Sequence, residues 1–205
     1  MRKEEKVKEI VKRLYKIYPE PRTALIYQTP LQLLIATILS AQATDKVVNT
    51  VTPKLFETYK TAEDFAKTSV EDIDTLIKKI NFHTNKAKSI HGAAKMIVEK
   101  YGGEVPKSMD ELDALPGVAR KTANVVMSNA YHTAAGIAVD THVMRLSKQL
   151  GLTQETKPEK VEADLMRIVP KQLWIDFSHL LINYGREYAP ARGMKSGHPL
   201  EDLFL

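Results

Sequence analysis

The sequence contains no cysteine. That absence excludes disulfides, thiolate metal sites, cysteine-held iron–sulfur clusters and cysteine nucleophiles. Long apolar runs are also missing. The longest, Leu31 to Ala41, is broken by Gln32, Thr37 and Ser40 and is shorter than the ~20 residues a membrane-spanning helix needs. The first twenty residues carry Glu4, Glu5 and Glu9 among their lysines, without a continuous apolar stretch, so they do not read as a signal or transit peptide. No membrane partner and a cytoplasmic location are expected. No stretch alternates apolar and polar residues as a half-buried strand would, and there is no internal repeat or low-complexity tract. Of the histidines, His83 and His91 are eight residues apart while His142, His179 and His198 are scattered; no pair has zinc-site spacing, so no metal is expected.

What is present is enough apolar material for a substantial core: 43% of 205 residues, sized for one large domain or two small ones. The formal charge is +5, which attracts nucleic acid or anionic lipid but is also ordinary for a basic protein.

Helical periodicity runs through nearly the whole chain. Val7, Ile10, Val11, Leu14, Ile17 and Tyr18 form one stripe, closed by Pro19 and Pro21. Leu31 to Ala41 is apolar all round and reads as a central buried helix. Thr44 or Asp45 can cap the next helix, which carries Val47, Val51, Leu55 and Phe56. Further helices are expected at Val70 to Ile80, Lys86 to Tyr101, Met109 to Ala114, Arg120 to Ala130, Thr141 to Leu150, Pro158 to Val169 and Gln172 to Tyr184. The fold class is therefore all-α. From Gly185 onward the chain loses its period until Leu200 to Leu205; it is either an irregular docked segment or a mobile terminus. Trp174 and Phe177 fall in a helix and read as core rather than as a stacking platform.

The most informative local feature is Leu115-Pro116-Gly117-Val118-Ala119, between two short helices. Pro116 fixes one φ and Gly117 permits a tight turn. N–H groups at the start of the next helix, with its dipole, can hold a phosphate without reading a base, and Arg120 and Lys121 lie at the same end. A plain helical hairpin would have the same turn, and taken alone Lys121 would be a surface lysine.

The stretch Leu115 to Val126, LPGVARKTANVV, closely resembles the endonuclease III family of helix-hairpin-helix DNA glycosylases. Matching segments follow in order: LLIATILSAQATD at Leu33 to Asp45, GEVP at Gly103 to Pro106, IAVDTHVMRL at Ile137 to Leu146, and INYGR at Ile182 to Arg186. The likeness covers about residues 5 to 186. It implies two helical domains, residues 21–132 and residues 1–20 with 133–205, flanking a DNA-binding cleft. It implies base excision of oxidised pyrimidines from duplex DNA, with abasic-site lyase activity, by a monomer associated with the nucleoid. The partner is double-stranded DNA containing damaged bases or abasic sites.

The resemblance also assigns roles. Lys121 matches the nucleophilic lysine and Asp140 the catalytic aspartate, 19 residues apart on different elements. A neutral amine attacks the sugar C1′, expels the base and forms a Schiff base, after which β-elimination cuts the strand on the 3′ side. Asp140 can take the proton and stabilise the developing cationic sugar; it also stands where a helix N-cap would, before Thr141-His142-Val143. Gln42 matches a residue that fills the hole left by a flipped nucleotide; elsewhere it would be a surface glutamine at a helix end. Phe82 falls near an apolar wedge that enters the duplex, in the weaker match INFHTNKAKSI; a core phenylalanine is the equal alternative. Gly117, Val118, Ala119 and Arg120 form the phosphate-holding hairpin, and His142 either lines the DNA site or packs.

Two departures stand out. Ala119 replaces a usual second glycine; it resists positive φ, and the cradle survives if this residue is helical. Most of the family holds a four-iron, four-sulfur cluster on four C-terminal cysteines; here those places fall near Ala189, Ser196, Pro199 and Phe204. No cofactor is expected, and Leu200, Leu203, Phe204 and Leu205 are expected to pack in place of the cluster loop. The alternatives are a lyase with little base excision, a non-catalytic damage-binding protein, and a mismatch-specific thymine glycosylase. A monofunctional adenine glycosylase fits less well, since that branch generally lacks the lysine.

Overall fold

In the computed structural model, which describes residues 1–204, the all-α expectation holds: the described residues form eleven α-helices and two short 3-10 turns, with no strand. They group into two compact units. One is residues 24–133; the other joins Met1–Thr23 to the chain from Ala134 onward.

Helix α1 (Lys3–Tyr15) begins with Glu4 and Glu5 and ends with Lys12 and Arg13, a charge order that complements its dipole. It buries Val7, Ile10, Val11 and Leu14. It stops short of the prolines: Ile17 and Tyr18 turn back onto the Leu14 carbonyl, yet still pack on the same core.

In the unit of residues 24–133, α2 (Pro30–Ser40) starts at the Thr29 cap, whose hydroxyl accepts from the Gln32 N–H, and buries every residue from Leu33 to Leu39. Thr44 caps α3 (Asp45–Thr58). The short α4 (Ala62–Lys67) has a Thr61/Asp64 capping box; periodicity missed it because six residues are too few to show a stripe. Helix α5 (Val70–Leu76) ends earlier than expected. Ile77 and Ile80 prolong the apolar pattern and are buried, but the chain there has already left the helix. Helix α6 (His83–Tyr101) starts three residues before its expected position, at a left-handed Phe82, and closes on left-handed Gly102. Two short turns of chain then lead through α7 (Met109–Asp113) into α8 (Arg120–Ala130), which has the expected bounds.

In the other unit, α9 (Thr141–Gln149) is capped by Asp140, α10 (Pro158–Ile168) carries Pro158 in its first turn, and α11 (Trp174–Glu187) follows a 3-10 turn at Lys171–Leu173. With α1 they enclose a core of Val7, Ile10, Leu14, Leu146, Leu165 and Phe177. Trp174 is only partly buried, at the edge of that core, with its indole N–H on the Val169 carbonyl.

The C-terminal segment is docked. Ala189 and Leu200 are fully buried, Leu203 is nearly so, and Phe204 packs on the same core; Leu205 lies outside the described residues. Buried His198 sits 2.6 Å from the Tyr184 hydroxyl, with its ring edge-on to Phe204. From α1, Lys6 donates to the carbonyls of Leu150 and Leu203 (both 2.9 Å), while Arg13 donates to the Pro199 carbonyl and pairs with Asp202.

Candidate active site

The hairpin between α7 and α8 is a type II turn. Pro116 is its second residue, Gly117 its third at φ +75°, and the Val118 N–H closes it on the Leu115 carbonyl at 3.1 Å. Gly117 is required twice over. Its φ disfavours any side chain, and a Cβ there would lie 2.5 Å from the Ser89 Cβ on α6. Gly92, one turn further along α6, lets that helix approach Pro116 closely. Val118, expected among the phosphate contacts, has its N–H engaged by the turn and its side chain buried.

Ala119 is neither helical nor at positive φ. It is an extended N-cap (φ −107°, ψ 168°), a conformation alanine adopts without strain, so the second glycine is not needed for this geometry. As a cap it offers no side-chain acceptor, and the first turn of α8 has no acidic residue. Helices α2, α3, α4, α5, α7 and α9 all have side-chain caps. The N-terminal amides of an α-helix have no intrahelical acceptor, so this end suits an anion. Ala119, Arg120 and Lys121 are exposed there.

Gln42 and Phe82 belong to the same unit. Gln42 is exposed at φ +55°, just beyond the end of α2. Phe82 is 61% exposed at φ +58°, which removes the core-phenylalanine alternative. The Asn81 side-chain amide donates to the Gln42 carbonyl at 3.0 Å. Lys86, 7% exposed, donates from Nζ to the Leu39 and Ala41 carbonyls; burial lowers its pKa from the ordinary lysine value. Sequence reasoning missed Asn81 and Lys86. The only signal was their place inside the weak match around Phe82.

Asp140 and His142 lie in the other unit. Asp140 is half-buried, and its Oδ1 accepts the Val143 N–H at 2.8 Å, making it the N-cap of α9. His142 is half-buried, with its Nδ1 shielded from solvent and without a hydrogen-bond partner. A Cβ on Gly185 would come within 2.6 Å of that nitrogen, so the glycine of the INYGR segment makes room for the ring. Burial pulls the His142 pKa down, against the opposing pull of Asp140, and favours a neutral imidazole. This geometry fits the packing alternative for His142.

The residues at the four cluster positions do not fit an iron–sulfur cluster. Ala189 is buried, Ser196 exposed, Pro199 and Phe204 half-buried, and none supplies a thiolate. Among the described residues no group of three or more His, Cys, Asp or Glu is placed to hold a metal ion, and no helix is long and apolar enough to cross a membrane.

A helical fold with this hairpin defines a class, and residues 35–171 match its family model, the HhH-GPD superfamily base excision DNA repair protein. The endonuclease III of Synechocystis sp. is 51% identical over 93% of this chain and 87% of its own length. A solved endonuclease III trapped as a covalent intermediate with DNA superposes with a TM-score of 0.94 at 40% identity, covering 100% of this chain and 96% of that one. A thermostable thymine-DNA glycosylase gives 0.85 at 25% identity, covering 98% and 95%. The chain belongs to the endonuclease III family within the HhH-GPD superfamily.

Proposed function

We propose that this protein is a bifunctional base excision repair enzyme, a DNA N-glycosylase with abasic-site β-lyase activity, acting on oxidised pyrimidines in duplex DNA. The observation that carries this reading is Lys121, an exposed lysine in the first turn of the helix that follows an uncapped hairpin. The relative trapped as a covalent intermediate with DNA supports it.

In this reading the hairpin holds a backbone phosphate through Gly117, Ala119 and the first amides of α8, with Arg120 adding charge; the Val118 N–H stays in the turn. This grips DNA without reading sequence. The Lys121 amine forms a bond to C1′ as the C1′–N bond breaks and the base departs with the electron pair. Asp140 accepts the proton lost by the amine and stabilises the cationic sugar, its Oδ1 still capping α9. The C1′–O4′ bond then breaks and O4′ takes the proton held by Asp140, which opens the sugar to a protonated Schiff base. This loses a C2′ proton to solvent, and the C3′–O bond breaks as the 3′ phosphate departs with the electron pair. Gln42 fills the space of the flipped nucleotide, Phe82 parts the neighbouring base step, and neutral His142 supports the Asp140 segment by packing. No step passes through a metal or cluster, and the protein works without one. The functional domains are residues 21–132 and residues 1–20 with 133–205, and the enzyme works as a cytoplasmic, nucleoid-associated monomer.

Duplexes carrying thymine glycol, dihydrouracil, a T·G mismatch or a preformed abasic site test the reading. The enzyme should release both oxidised pyrimidines and cut the abasic strand. Cleavage of the abasic duplex alone would reduce it to a lyase. Excision confined to T·G would favour the thymine reading, which the likeness to thymine-DNA glycosylase supports.

A further inference from the structure

Three non-glycine residues among those described have positive φ: Gln42, Phe82 and His132. Two of the three are the residues assigned above to enter DNA. A side chain in the left-handed region is unfavourable and persists only where the surroundings over-determine it. Here the surroundings are concrete.

Lys86, in the first turn of α6, sends its ammonium to the far end of α2, where the Leu39 carbonyl accepts at 2.8 Å and the Ala41 carbonyl also accepts. A helix C-terminus leaves carbonyls without intrahelical donors and carries the negative end of the dipole, so a buried cation both satisfies and neutralises it. The Lys86 backbone N–H meanwhile donates to the Phe82 carbonyl at 3.1 Å. One residue thus grips both loops. The second tie is Asn81, directly before Phe82, whose side-chain amide holds the Gln42 carbonyl at 3.0 Å. The Asn81 loop is anchored on either side. Ile80 is 1% exposed, and the His83 ring lies 2.6 Å from Asp74. The loop carrying Gln42 is tightened by the Ala43 N–H on the Ser40 carbonyl. The result is a closed circuit of short bonds from the end of α2 through Lys86, Phe82 and Asn81 back to Gln42. Its two outward projections are Gln42 and Phe82.

We propose that Asn81 and Lys86 are positioning residues that lock Gln42 and Phe82 into one rigid two-pronged wedge, so that both side chains enter the duplex in fixed register. The inference rests on the reading of Gln42 and Phe82 as DNA-entering residues. Its consequence is kinetic. A preorganised wedge does not have to be ordered at the moment the base leaves the stack, so loosening it slows extrusion.

The test uses the full-length enzyme and a thymine-glycol duplex with 2-aminopurine beside the lesion, whose fluorescence rises on unstacking. Single-turnover excision at saturating enzyme is measured in parallel, which separates the step from binding. Asn81→Ala should lower the fluorescence rise and slow excision about fivefold, the worth of one net hydrogen bond. Because Asn81 acts through the two prongs, it should add nothing further in a background carrying both Gln42→Ala and Phe82→Ala. Lys86→Arg should retain the signal and Lys86→Met should lose it. If Lys86→Met does not fold, the exposed Asn81 decides the matter. Wild-type behaviour of Asn81→Ala beside a slow Gln42→Ala, or a further loss when Asn81→Ala is added to the Gln42→Ala, Phe82→Ala protein, would overturn the proposal. If Gln42→Ala and Phe82→Ala both leave fluorescence and rate unchanged, the assignment of those two residues falls, and the wedge with it.

Discussion

Leu200→Ala should destabilise the protein by about 2–5 kcal/mol. Leu200 is 0% exposed and belongs to the core formed by Val7, Ile10, Leu146 and Tyr184, although it comes from a segment with almost no regular structure. Removing three carbons at ~0.8 kcal/mol each forfeits roughly 2.4 kcal/mol of transfer free energy. The remainder comes from the cavity, because α1 and the His198–Tyr184 contact hold the neighbouring chain in place and limit collapse. For a chain of 205 residues, at about 2–4 °C per kcal/mol, the melting temperature should fall by roughly 4–20 °C. Circular dichroism melts of the variant against wild type measure this. Ser196→Ala, at an exposed position in the same segment, is the control and should stay within ~0.5 kcal/mol. A Leu200→Ala protein that melts with wild type would refute the reasoning. It would mean that apolar burial in this segment does not support the core.

Gly117→Ala should cost about 1–3 kcal/mol in denaturant unfolding, because it places a Cβ at φ +75° and against Ser89. It should also weaken binding to abasic duplex at fixed salt; unchanged affinity would show that the hairpin turn does not hold the phosphate. Burial lowers the pKa of His179, which folded protein therefore resists protonating while the unfolded chain accepts a proton near ~6.5. Stability from this residue is fully present above that pH and is lost as pH falls below it. Melts between pH 7.5 and 5 should show a decline that His179→Gln reduces, and an equal slope in both proteins would contradict the assignment.

The parts of this architecture most legible in the sequence are those set by local chemistry. Helix α8 and the type II turn before it follow from Pro116, Gly117 and the apolar period, and the Asp140 cap from residue type; at α3 residue type leaves Thr44 or Asp45, and Thr44 is the cap. The periodicity predicts too long an α5 because Ile77 and Ile80 remain buried after the helix has ended, so burial keeps a period that the backbone drops. The start of α6 is hidden in the sequence because its N-cap is a left-handed phenylalanine rather than a short polar residue. Lys86 was illegible for a different reason. A buried lysine is tolerated only by specific acceptors, and these are carbonyls more than forty residues earlier in the chain. In the tail, Leu200 and Leu203 are apolar residues whose burial is legible from their type. The pairing of His198 with Tyr184 is not, because it depends on how the irregular segment docks.

Lys121 is the residue we propose forms the bond to DNA. Borohydride reduction of the enzyme with a duplex containing an abasic site, followed by proteolysis and mass spectrometry, tests it most directly. A covalent adduct is expected on the peptide carrying Lys121, absent in Lys121→Gln protein that still binds the duplex. An adduct on another lysine, or undiminished trapping by Lys121→Gln, would contradict it.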